Sequence, residues 1–134
     1  MVYYGLRRLK TLFFFFFYAI IVKIAKVRLK GKMKSVKITV MKMAQYDDMI
    51  SKYENPIEHA CEMRVGRIFI SIAGEKPQGL CDSAWESMEF FVKELSNGGG
   101  DFFDGWMKNK RSAMISCNDG FRPVSFLLET VEEC

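Results

Sequence analysis

Four cysteines, one histidine and an arginine beside an Asp-Gly pair are the residues of this chain whose chemistry reaches beyond packing. Cys61, Cys81, Cys117 and Cys134 contain no C-x-x-C pair, so the zinc-ribbon and thioredoxin signatures are absent, and their wide spacing does not read as the disulfide framework of a small secreted domain. Reduced thiols in a cytoplasm are the simpler reading. Thiolates are soft ligands, and Cys61, Cys81 and Cys117 with His59 make a candidate set for a transition metal, with Asp119 as another fourth ligand, or a redox cluster. The competing reading is plain packing, because free cysteine behaves as a small buried hydrophobe.

Cys81 is the reactive-thiol candidate. It stands just before a predicted helix start, where the partial positive charge of the helix end favours thiolate, although Asp82 beside it opposes that effect. A Cys/His hydrolase would need His59, the lone histidine, to serve as the base; no catalytic residue is assigned, and a non-enzymatic protein is the favoured expectation. Arg122, Asp119 and Trp106 are ligand-binding candidates: an arginine fork holds carboxylate or phosphate, and an indole can line a pocket. For Arg122 the alternative is an internal ion pair with Asp119 or a tail glutamate, and for Trp85 it is a place in the core. The Gly98-Gly99-Gly100 run is no phosphate loop, since it follows a helix and no Lys-Ser/Thr comes after it.

The elements that must position these residues follow from periodicity. Val36, Ile38 and Val40 alternate with Lys37, Thr39 and Met41, which predicts a half-buried strand. Gln45–Tyr53 is a short helix closed by Asn55-Pro56. Arg67–Ala73 reads as a well-buried strand with Ile68, Ile70 and Ile72 on one face and Phe69 opposite. The clearest helix has Asp82 or Ser83 as N-cap, a Ser83/Glu86 capping box and Gly98 past its end. Its apolar face carries Ala84, Trp85, Met88, Phe91, Val92 and Leu95. Ala113–Cys117 and Val124–Val131 are predicted to form a hairpin around Asn118-Asp119-Gly120, with Pro123 at a strand start. The class expected is α+β: a small antiparallel or mixed sheet of about four strands with one principal amphipathic helix packed on it.

Composition divides the chain. Of 20 Lys and Arg, eight fall in residues 1–32 with none of the 16 acids, so the net charge of +4 hides a body of −4. A body of that sign, without a basic stripe, predicts no nucleic-acid partner. Residues 33–134 are read as a single α+β domain and residues 1–32 as a basic, Phe-rich leader. The leader's apolar run, Leu12–Val22, is short of the roughly 20 residues a membrane-spanning helix needs. Three readings of it stay open: an untranslated T-rich tract with Met33 as the true start, a membrane-surface or anchor segment, and a cleaved signal. Any membrane contact is therefore expected only through residues 1–32.

Several stretches together resemble an uncharacterised numbered family of bacterial and archaeal proteins of about 100 residues. They are Val36–Val40, the isolated Cys61, Gly79-Leu80-Cys81-Asp82-Ser83-Ala84-Trp85, the Gly98-Gly99 turn, and Cys117–Phe126, within Met33–Glu132. The leader departs from that pattern. The resemblance implies no activity, but it implies that Cys61, Cys81 and Cys117 belong to the family pattern and Cys134 to the tail. The function expected is a small cytoplasmic domain that binds a protein or small-molecule partner; the alternative is a cysteine-based metal-binding or redox protein.

Overall fold

The structure is a computed structural model that describes residues 15–25 and 33–132. The chain divides into two units, Met1–Lys32 and Met33–Cys134. In the first, residues 15–25 are helical (α1), and Phe15, Phe16, Phe17, Tyr18, Ile20, Ile21 and Ile24 are exposed. Among the described residues no helix is long and apolar enough to cross a membrane. The start of the leader's apolar run and its basic residues before Phe15 and after Ala25 lie outside the described residues, as does Cys134.

The second unit runs β1 (Val36–Met43), α2 (Asp47–Tyr53), β2 (Ile68–Ser71), α3 (Asp82–Ser96), β3 (Ser112–Ser116) and β4 (Val124–Thr130). Its strands form one sheet in the order β2-β1-β4-β3, every neighbouring pair antiparallel. This is a small α+β fold. Alternation does what period-2 geometry requires: Val36, Ile38 and Val40 of β1, Ala113 and Ile115 of β3, and Val124, Phe126 and Leu128 of β4 turn to one buried face. Ala84, Met88, Val92 and Leu95 of α3, three or four residues apart, close on that face, and Trp85, Phe91 and Phe102 pack partly buried around it. A reciprocal pair ties the end of α3 to the start of β1: the Lys34 N–H donates to the Ser96 carbonyl (2.9 Å), and the buried Ser96 hydroxyl donates to the Lys34 carbonyl (2.8 Å).

Three expectations are corrected. In β2 it is Phe69 that is buried, while Ile68, Ile70 and Ile72 are exposed, because only one face of this edge strand meets the core beneath α3. The N-cap of α3 is Cys81 and no side chain caps the helix, so the Ser83/Glu86 box does not form. β3 and β4 form the expected hairpin, but its connection runs from 117 to 123, and Gly120 does not take the positive φ that a tight Asp-Gly turn favours. There the Asp119 Oδ1 accepts the N–H groups of Phe121 (2.8 Å) and Arg122 (3.0 Å), a side-chain substitute for a tight backbone turn.

Candidate functional site

Antiparallel pairing collects one set of element ends. Met43 lies opposite Val124, Ser116 opposite Ser125, and Thr39 opposite Ile68, so the end of β1, the start of β2, the end of β3 and the start of β4 share one end of the sheet. The loops that enter β2 and α3 and the loop that joins β3 to β4 meet there. They enclose a cleft of about 440 Å³ lined by Cys61, Cys81 and Cys117 with Arg67, Arg122, Asp119, Glu62, Ser83 and the buried Met63 and Leu80. A neighbouring hollow of about 670 Å³ shares Cys61, Glu62, Met63 and Arg67 and adds Arg64.

Three thiols far apart in sequence thus share one cavity, and each is held differently. Cys61 is exposed, and its Sγ accepts the Met63 N–H at 3.4 Å. Cys81 is exposed at the N-cap of α3, its carbonyl accepting the Trp85 N–H at 3.0 Å. Cys117 is half-buried: its N–H donates to the Val124 carbonyl (3.0 Å), and its Sγ accepts the Val124 N–H (3.3 Å). The three are free thiols. They do not make a metal centre with their neighbours: among the described residues no group of three or more His, Cys, Asp or Glu could hold a metal ion. His59 is exposed and is not part of the cleft lining, so the base of the Cys/His reading is not brought to it.

The charges sort themselves by partner. Arg122 donates to Glu54 Oε1 at 2.8 Å across a half-buried pair, and that hydrogen bond raises the guanidinium's affinity for its proton further above the ordinary arginine range. Its fate is an ion pair, with Glu54 rather than the partners expected. Asp119 spends one carboxylate oxygen on the backbone of its own turn. Asp82, exposed, pairs with Lys76, whose hydrogen bond and charge hold the carboxyl below its ordinary range. Asp82 is thereby engaged away from the thiol it follows.

Arg67 is different. Its guanidinium lies 4.7 Å from the centroid of the Phe69 ring and makes no ion pair among the described residues. Gly79, at φ +83, leaves the space it uses: a Cβ there would come within 3.1 Å of Arg67 Nη2. A cation over an aromatic face is attracted by the ring's quadrupole, which helps to hold the guanidinium in place at the cleft.

Of the candidates read from residue type, Cys61, Cys81, Cys117, Asp119 and Arg122 come together here, and Trp106 does not. Trp106 stands exposed outside the lining, edge-on to Phe103 at 5.3 Å between centroids. Arg67, Gly79 and Ser83 join the lining without being site candidates by residue type. The signal for Arg67 was its place directly after the Val65-Gly66 turn, at the mouth of a strand whose neighbouring loop carries Cys61. Comparison of the chain with protein-family models, with curated proteins and with solved structures finds no match.

Proposed function

We propose that this chain is a small binding domain whose cleft takes a small molecule bearing a carboxylate or phosphate, with Arg67 as its anion anchor. The observation that carries the reading is the Arg67 guanidinium: placed over the Phe69 ring, without a carboxylate partner among the described residues, and lining a cleft of about 440 Å³. A cation left unpaired beside an apolar lining is an arrangement that a ligand anion completes, because charge-assisted hydrogen bonds strengthen as water is excluded. Arg122 has its charge met by Glu54, which leaves Arg67 as the anion anchor, and the exposed Glu62 accommodates a ligand that also carries an ammonium group. The stretches that resemble the uncharacterised bacterial and archaeal family supply Cys61, Gly79, Leu80, Cys81, Ser83, Cys117, Asp119 and Arg122 to the lining, which supports a shared role for them. The domain works in a reducing cytoplasm, where these thiols stay available.

The test is an NMR titration of the full chain with inorganic phosphate and, separately, with succinate. Amides of Arg67, Leu80, Cys81, Ser83 and Asp119 shift along a saturating curve, and Arg67→Gln weakens binding by about tenfold, the loss expected for one charge-assisted hydrogen bond. Shifts that avoid those amides, or that persist undiminished in Arg67→Gln, refute the reading.

A second reading rests on the shared cavity of the three thiols. Cys61 and Cys81, both exposed, are accessible to a disulfide or an electrophile in the cleft, which makes a thiol-based redox protein the alternative.

A further inference from the structure

The sheet has a second face, opposite α3. Alternation places on it Ile68 and Ile70 of β2, Lys37 and Thr39 of β1, Leu127 and Glu129 of β4, and Met114 of β3. Register aligns them in rows across the strands: Ile68, Thr39, Leu127, Met114 in one, and Ile70, Lys37, Glu129 in the next, where the β3 position opposite Glu129 is the buried Ser112. The face is apolar at its edges, with Ile68 55%, Ile70 45% and Met114 37% exposed, and Ile72 just past β2 is 69% exposed. At its centre sits one ion pair, Lys37 Nζ to Glu129 Oε2 at 3.0 Å, both side chains still partly open to solvent.

This pattern is self-complementary under one symmetry operation. A two-fold axis running along the strands, between β1 and β4, lays β1 of one copy over β4 of the other and β2 over β3, while keeping each row at its own level. Lys37 then comes over Glu129 of the second copy and Glu129 over its Lys37, so two side-by-side pairs become a four-charge cluster of alternating sign. Ile68 comes over Met114 of the second copy, and Thr39 over its Leu127. The alternative axis, across the strands at the level of the pair, stacks Lys37 on Lys37 and Glu129 on Glu129 and is disfavoured by like-charge repulsion. We infer that this face is the interface of a homodimer, a second copy of the chain packing sheet to sheet about the axis between β1 and β4.

Sedimentation equilibrium of the full chain over a range of concentrations tests it. The expected result is a reversible species of twice the chain mass, with its dissociation constant raised by roughly tenfold or more in Ile70→Lys and in Lys37→Glu. Both positions are on the surface, so an unchanged far-UV spectrum and melting midpoint separate lost association from lost folding. The charge-exchanged double variant Lys37→Glu/Glu129→Lys recovers the dimer, because the alternation of sign is restored. A chain that stays monomeric at millimolar concentration overturns the inference, and so does a dimer undiminished in Ile70→Lys and Lys37→Glu, whose contact lies elsewhere. A double variant that remains as weak as Lys37→Glu alone overturns the axis.

Discussion

At the N-cap of α3 stands a thiol where Ser, Thr, Asp or Asn would each add about 1 kcal/mol by bonding an orphan N–H. Forgoing that gain leaves the Cys81 side chain in the cleft instead of folded back on its helix. Access then ranks the three sulfurs. Iodoacetamide labelling followed by peptide mass spectrometry is expected to reach Cys61 and Cys81 first and Cys117 last, since Cys117 is half-buried and its Sγ accepts a backbone N–H. Three slow thiols in metal-free protein end the redox reading, and Cys117 labelled first contradicts the closed geometry at Val124. Residue type alone was enough to mark these cysteines, Asp119 and Arg122. It could not mark Arg67, because an arginine at a strand entrance gains its meaning only from the ring of Phe69 beneath it and the room beside Gly79.

Elements were legible where period and burial agree. β1 and α3 follow from their spacing, and the core they form with β4 is dense enough that truncations should be costly. Phe126→Ala and Met88→Ala, both fully buried, are expected to lower the unfolding free energy by about 3–5 and 2–5 kcal/mol, while Phe90→Ala, on the exposed side of the same helix, changes it by roughly 0.5 kcal/mol or less. Urea denaturation measures all three. β2 shows where the pattern runs out. Alternation separates Ile68 and Ile70 from Phe69 but does not say which set is inside; three isoleucines outweigh one phenylalanine in sequence, and the position of α3 decides for the phenylalanine. The β3–β4 loop fails for a similar reason. Asp-Gly favours a tight turn, but the Asp119 carboxylate bonds two backbone N–H groups and supports a wider one, which is the conformation that brings Cys117 and Arg122 to the cleft.

At the scale of the whole molecule the two units carry opposite charge. Residues 1–32 hold eight of the 20 basic groups and none of the 16 acidic ones, so a chain beginning at Met33 changes from net +4 to net −4 and should focus at acidic pH instead of near 8.9. Because the core of Met33–Cys134 is built from its own strands and α3, that shortened chain is expected to unfold in one cooperative step at the same midpoint as the full chain. Calorimetry decides it, and a broadened or strongly lowered transition would show that the first 32 residues are needed for the fold.

The sheet order also governs how this domain comes into being. Of the four described strands β1 is made first, yet it is central in the sheet, and its longer partner, β4, is made last of the four. Until residues 124–130 emerge, β1 can pair only along its β2 side, and Val36, Ile38 and Val40 lack Phe126 and Leu128 to pack beside. The hydrophobic nucleus is therefore joined from strands far apart in the chain, a long-range closure that slows folding and postpones it until β4 has been made. Through that interval the nascent chain displays an unpaired edge of β1, and the Lys37 and Lys42 side chains along it are the charges that discourage a neighbouring chain from adding there.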